Sequence, residues 1–292
     1  MKMKYEGMII RPPSEAHSLL LQVTVGCSHN KCTFCKAYKG VKFRIKDFSE
    51  IEEDIFEASG YGSIERVFLC DGDALIVPQK KLAPVLESLK RNIKDLKRIG
   101  TYANAKSILR KTPEELRELR GLGLKIVYLG VETGDEDLLK NINKGVNYEQ
   151  MVNAGRKIKD AGITLSVTVL LGIGGKEKSM AHALNTAKIL TEIDPDYVGA
   201  LTVMVVPGTP LHEEYMSGNF KLPDTFGFLK ELGIIIANSD FTDCFFTSNH
   251  ASNYLPVRAR LPREKDETVS LIYNVIKSEN ENLLRPEFMR GL

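Results

Sequence analysis

The order of apolar and amphipathic stretches predicts an α/β protein, a partial (β/α)6 TIM-like barrel with parallel strands and a short, mainly helical C-terminal extension. Three observations carry this. Six short apolar runs alternate with stretches of helical periodicity at near-regular spacing, the pattern of a parallel sheet with right-handed crossovers. The runs are apolar throughout, as in strands covered on both faces. Cysteines, acids or glycines follow runs one, two, four and five, and Pro-Gly follows run six. A barrel collects functional groups at the C-terminal ends of all its strands, whereas an open sheet concentrates them at one switch point.

In order, residues 1–18 read as a basic, irregular lead-in, and 19–25 as strand one, which runs into the cysteine segment. Ser49 with Glu52 reads as a capping box for a helix carrying Ile51, Ile55 and Ala58 on one face. Residues 66–70 form strand two, ending on Asp71-Gly72-Asp73. A helix over 79–95 follows from Leu82, Val85, Leu86, Leu89 and Ile93, and strand three covers 99–103. Thr112-Pro113-Glu114-Glu115 opens the next helix with a cap, a proline in the first turn and acids near the positive dipole end. Strand four, 125–131, ends on Glu132-Thr133-Gly134; helical stretches at 135–142 and 148–161 lead to strand five, 163–171, which ends on Gly172-Ile173-Gly174-Gly175. A helix at 178–192 and strand six at 197–206 complete the series. Beyond Leu211, residues 222–237 read as helical, 242–253 as a loop or short strand, and a last helix runs from Leu261 to about Leu284. The expected organisation is a lead-in at 1–18, a core barrel at 19–215, and an extension at 216–292 that covers the barrel.

Of the 292 residues, 43% are hydrophobic and 27% charged, an ordinary globular balance able to bury a large core. A formal net charge of +2 gives no global field for nucleic acid. The N-terminus lacks the apolar core of a signal peptide, and no apolar run approaches the roughly 18 residues of a membrane span. The expectation is a cytoplasmic protein with no membrane association and reduced thiols.

Three of the five cysteines, Cys27, Cys32 and Cys35, fall within nine residues. Such crowding at the mouth of a strand points to a metal site. Spacing alone leaves two chemistries open. Zinc closes a tetrahedron of four ligands, with His29 as the fourth candidate, and would mark a non-catalytic binding or scaffold protein. A four-iron cluster held by three thiolates leaves one iron open to a small molecule.

The segment resembles the radical S-adenosylmethionine (SAM) superfamily, whose signature is CxxxCxxC with an aromatic residue before the third cysteine. Here Phe34 precedes Cys35, and the first gap holds one extra residue, a Cx4Cx2C variant. Resemblance to the oxygen-independent coproporphyrinogen III oxidase-like branch extends from about Leu19 to Leu211. It implies a 4Fe-4S cluster, SAM bound on the open iron, oxygen sensitivity, and an electron donor such as flavodoxin or ferredoxin. It further implies reductive cleavage of SAM to a 5′-deoxyadenosyl radical that abstracts hydrogen from a substrate.

The same resemblance assigns roles along the strand ends. Asp71, Gly72 and Asp73 fall where relatives contact the methionine amino group, with a simple turn as the plainer alternative. Glu132 falls at a ribose-binding position, Lys144 near the carboxylate, and Thr168 where a relative has a ribose-binding acid. A helix cap, an exposed lysine and a buried strand threonine are their alternatives. Tyr102 and Asn104 end strand three as contact candidates, and Phe34 belongs to the cofactor loop. Leu170, Leu171, Gly172, Val205 and Val206 would wall the adenine or form plain sheet core. Tyr38 and His250 are the candidate catalytic residues, and Lys36 and Arg44 could face substrate. His250 lies in the polar run Ser248-Asn249-His250-Ala251-Ser252-Asn253-Tyr254, which would close over the barrel mouth. Cys70 reads as a buried small hydrophobe.

Absences shape the substrate expectation. Eighteen residues before strand one leave no room for a cobalamin domain there, and Cys244 is the lone cysteine beyond strand six, too few for an auxiliary cluster. No RNA-binding module is evident, and the chain is shorter than the porphyrinogen oxidases. A small molecule is therefore expected rather than a macromolecule. The extra residue between Cys27 and Cys32 is expected to form a bulge around His29.

Overall fold

In the computed structural model, residues 3–291 are described; Met1 and Lys2 of the expected lead-in, and Leu292 of the extension, lie outside them. Packing divides the chain into two units. The first holds residues up to Asn30, Ala37–Leu129 and Ala154–Leu165; the second holds Lys31–Lys36, Gly130–Asn153 and the chain from Ser166.

The first unit is built on strands β1 (Leu19–Gln22), β4 (Arg66–Cys70), β5 (Arg98–Ala103) and β6 (Leu124–Glu132), the last three residues of β6 falling in the second unit. All are parallel and neighbour one another in sequence order, with Leu21 opposite Leu69 and Leu69 opposite Thr101. A separate antiparallel ribbon pairs β2 (Thr24–Val25) with β3 (Arg44–Ile45) on either side of the cysteine segment. The expected first strand, 19–25, is thus two strands that break at Val23. Helices α1 (Phe48–Ser59), α2 (Gln79–Asn92), α3 (Ala105–Arg110) and α4 (Pro113–Gly121) connect the strands.

The cap of α4 is as expected, Thr112 and Glu115 forming a reciprocal capping box. That of α1 is not. The helix begins one residue before Ser49, and the Asp47 amide donates to Glu50, which also accepts from Arg44. The Asp47/Glu50 pair won because Arg44 on β3 holds the Glu50 carboxylate at the helix start. Helix α3 was not anticipated; six residues are too short to show a period.

Alternation along the strands sends Phe68, Cys70, Ile126 and Tyr128 to one face, where Leu20 and Tyr102 join them. The rings of Phe68, Tyr102 and Tyr128 meet edge-on at 5.0–6.0 Å. Gly100 opposes Phe68 and Ile126, and a Cβ there would approach Ile126, Phe68 and the Glu15 carboxylate at 3.1–3.3 Å. The lead-in is more ordered than its composition suggests. A short 3-10 turn, Pro13–Glu15, buries Glu15, which accepts from Ser18 (2.5 Å), Arg98 (2.7 Å) and the Tyr128 hydroxyl (2.6 Å).

The second unit holds α5 (Glu136–Asn141), the start of α6 (Tyr148–Asp160), most of β7 (Thr164–Leu171), α7 (Gly175–Ile193) and β8 (Tyr197–Thr202). Strands β7 and β8 are parallel, and β8 continues in parallel to β9 (Cys244–Thr247). The sixth strand ends at Thr202, short of the expected 206: Val203 makes the last ladder bond, to the Leu171 carbonyl, and the chain then enters the turn in which Val206 accepts from Thr209. Helices α8 (Pro210–Met216), α9 (Thr225–Asn238) and α10 (Lys265–Ser278) make the C-terminal part mainly helical, with α9 packed on α7 and α10. The strand β10 (Arg258–Leu261), antiparallel to β9, lies where the sequence suggests no element and includes Leu261, the expected start of the last helix. Leu261-Pro262 ends it, and the helix starts only at Lys265. Among the described residues no helix is long and apolar enough to cross a membrane.

Candidate functional site

In the first unit, the cysteine segment and the β4 turn are held together through glycine. Gly26, at φ 79°, donates to Asp71 Oδ2 (2.9 Å), and its carbonyl accepts from the Gly72 amide (3.2 Å). A Cβ on Gly72 would lie 2.9 Å from the Tyr38 ring and 3.0 Å from Cys27 Cβ, so only glycine lets this backbone approach. Asp71 is buried; its Oδ2 also accepts from Gln22 (2.9 Å), while Oδ1 has no hydrogen-bond partner. Burial pushes the Asp71 carboxyl up against those two donors. The Tyr38 hydroxyl is likewise buried without a partner, and burial, then the Asp71 charge, push its phenol up. Two orphan polar atoms beside Cys27 are what a polar ligand at this turn would satisfy.

Asp73 serves a different purpose. It is fully buried and accepts from the Ser28 hydroxyl, the Asn104 side chain (2.6 Å) and amide (3.2 Å), and Ser107 (2.6 Å). Asn104 caps α3 by accepting from the Ser107 amide (2.9 Å). Asp73 and Asn104 therefore bind the residue after Cys27 to the start of α3, and the ring of Tyr102 packs between Phe68 and Tyr128. Ser107 and Gln22 escaped the sequence reading, since a serine or glutamine carries no signal until its partner is known. Asn30, one residue past His29, takes the left-handed conformation at φ 43° and donates to the Tyr38 carbonyl (2.7 Å).

In the second unit, the segment bearing Cys32 and Cys35 is pinned at both ends. The Thr33 amide donates to the Ile142 carbonyl (3.0 Å), the Thr33 carbonyl accepts from Leu211 (3.1 Å), and Lys36 donates to the Pro207 carbonyl (2.7 Å). Phe34 and both cysteines are half-buried, and none of the three cysteines of the motif is in a disulfide. Among the described residues no group of three or more His, Cys, Asp or Glu converges on a single-ion position.

Glu132, ending β6, adopts φ 65°, a conformation costly for a residue with a Cβ. It is held there by Lys144 at 2.7 Å, both side chains only 10–12% exposed. The lysine is thus a partly buried partner rather than a solvated charge. Gly130 leaves room for this pair, since a Cβ there would displace the Glu132 carboxylate from its position. On β7, Thr168 is half-buried and Leu170 buried; Val205 is half-buried beyond β8. Gly172, at φ 81°, turns the chain after β7 with its α-carbon against the Phe228 ring.

His250 is half-buried, and its Nδ1 accepts from the Ser252 amide (3.1 Å) and meets the Ser252 hydroxyl (2.9 Å). An amide donor at Nδ1 leaves the ring proton on Nε2, and burial, then Arg285, lower its pKa. The surrounding run is tied to the end of β8. Asn253 accepts from the Thr202 hydroxyl (2.8 Å) and donates to the Ala200 carbonyl (2.8 Å), while Arg285 donates to the His250 and Asn253 carbonyls.

The family model described as the radical SAM superfamily matches residues 21–187, more than half of the chain. The heme chaperone HemW of Bacillus subtilis is 22% identical over 56% of this chain, which spans less than half, 43%, of HemW. A biotin synthase of Buchnera aphidicola is 23% identical over 67% of this chain and 56% of its own length. Among solved structures, methylornithine synthase superposes with a TM-score of 0.54 at 20% identity, over 77% of this chain and 63% of that one. That similarity establishes the shared fold, the partial TIM-like barrel expected from the strand order. With its signature cysteines inside the matched span and 4Fe-4S and SAM as the family's cofactors, this chain belongs to the radical SAM superfamily of enzymes.

Proposed function

We propose that this protein holds a 4Fe-4S cluster through Cys27, Cys32 and Cys35 and cleaves SAM reductively to abstract hydrogen from a small substrate. The observation that carries the reading is the contact of the Gly72 turn with Cys27, beside the unpartnered Asp71 Oδ1. When bound and reduced, the cluster supplies one electron to break the C5′–S bond of SAM, giving methionine and a 5′-deoxyadenosyl radical. The chain's own part is to bind, orient and exclude water. Asp71 and the Gly72 backbone receive the methionine ammonium. Glu132, oriented by Lys144, accepts from the ribose hydroxyls, while Leu170, Gly172 and Val205 supply apolar surface for the adenine. Tyr38 and His250 face substrate, His250 as a donor through Nε2.

A small substrate is supported by the likeness to methylornithine synthase. The electron comes from a flavodoxin or ferredoxin in the cytoplasm, and the segment from 216 onward serves as an extension of the 19–215 core. Anaerobic reconstitution tests the reading. A brown protein absorbing near ~400 nm that converts SAM to 5′-deoxyadenosine on reduction is expected, and replacing Cys27, Cys32 and Cys35 together by Ala removes the colour. Stoichiometric zinc with no SAM cleavage would sink it in favour of a zinc-bearing scaffold.

A further inference from the structure

Two fully buried ionisable side chains in the second unit have no part in the function proposed above: His182 on α7 and Glu231 on α9. They join two strand-end turns. Glu231 Oε2 accepts from the Gly172 amide at 2.5 Å and lies 3.7 Å from His182 Nε2. His182 Nδ1 meets the hydroxyls of Thr133 (2.8 Å) and Thr186 (3.3 Å). Those hydroxyls accept from the amides of Asp135 (3.0 Å) and Gly134 (3.1 Å), so each has its own hydrogen to give to Nδ1. The ring proton then sits on Nε2, facing the Glu231 carboxylate. His182 Nε2 and Glu231 Oε1 are both buried with no partner at full hydrogen-bonding geometry; the Leu170 backbone acts on the imidazole and the Ser179 hydroxyl on the carboxylate.

We infer that Glu231, backed by His182, is a positioning residue that sets the Gly172 turn for SAM through its hydrogen bond to the Gly172 amide, and that protonation of its carboxyl loosens that turn. This rests on the reading of the Gly172 turn as part of the adenine wall. Burial pushes the Glu231 carboxyl up to about 7 against the pull of its donors, and holds His182 down at about 4. Asp135 is the other charged group acting on His182. Around neutral pH the imidazole is therefore uncharged and the carboxyl is the group that titrates. An ionised acceptor makes the stronger hydrogen bond to an amide, so the turn is held above the midpoint and relaxed below it.

The test uses the reconstituted protein. The Gly172 amide proton is followed by NMR from pH 6 to pH 8.5 in wild type and Glu231→Gln, and SAM affinity is measured at both ends. The amide shift should titrate near pH 7 in wild type and stay flat in Glu231→Gln. The SAM dissociation constant of wild type should rise about five- to tenfold at the acid end relative to Glu231→Gln, a ratio in which titration of SAM's own amine cancels. In turnover the effect falls on KM for SAM with kcat unchanged. A Gly172 amide that does not titrate in wild type overturns the inference without any variant, and so does one that titrates alike in both proteins. A titrating amide with no relative change in SAM affinity removes the link to the cofactor. A cluster-loaded protein that binds no SAM at any pH overturns the cofactor reading itself, and this inference with it.

Discussion

The turns that end β4 and β7 do related work by opposite means. At the end of β4 the chain carries its own polar groups. Asp71 and Asp73 flank Gly72, and donors from Gln22, Gly26, Ser28, Asn104 and Ser107 converge on them within the first unit. At the end of β7 the turn is almost bare backbone, and its amide is satisfied by Glu231, 59 residues further on. A turn that carries its own acceptors is fixed by the several donors that converge on them. One built from glycine depends on what packs against it. The first suits a fixed anchor beside the cysteine segment, the second a wall whose position can be tuned.

Substitutions that remove either support sharpen this contrast. Asp73→Ala strands four donors in a buried site, and should cost about 4 kcal/mol, lowering Tm by on the order of 10 °C in calorimetry. If stability holds, the β4 turn is not self-supported. Gly172→Ala forces a Cβ into the Phe228 ring at a positive φ and should cost about 3 kcal/mol. Adding Phe228→Ala should make the double variant less than additive; strict additivity in denaturant melts would place the cost in the backbone alone.

The smallest effect is a change of slope with pH. The Glu231 carboxyl is raised above its ordinary range to about 7, so the folded state keeps a proton that the unfolded chain releases. Its contribution is fully present at low pH and is lost between about 4.5 and 7. His182, lowered to about 4, works the other way, its contribution growing from about 4 to 6.5. In wild type the two oppose each other. In Glu231→Gln the histidine acts alone, so Tm rises more steeply with pH across that window, and parallel wild-type and variant profiles would contradict the assignment.

Much of the scaffold was legible from local pattern. Strands at 66–70 and 163–171 and the Thr112 cap are set by neighbours a few residues apart, and periodicity reports such neighbours directly. The cap of α1 was misread because Ser49 and Glu52 satisfy the same local rule as Asp47 and Glu50, and only Arg44 on the ribbon decides between them. The strand β10 was hidden because four residues beside a proline carry little period. Glu231 left one faint trace, a single acid among Phe228, Leu229, Leu232, Ile235 and Ile236 on the buried face of α9.

By itself, the sequence determined the alternation of strands and helices, the glycines and acids at their ends, and the three-cysteine motif with its aromatic neighbour. These depend on composition and spacing over a turn or two of chain. The tertiary structure alone decided which of those acids is already satisfied. Asp73 and Asp71 are two residues apart, yet one has both carboxylate oxygens engaged and the other keeps an unpartnered oxygen beside Tyr38 and Cys27. Donors from distant segments reach them only when sheet register brings those segments together, and no local rule carries that register.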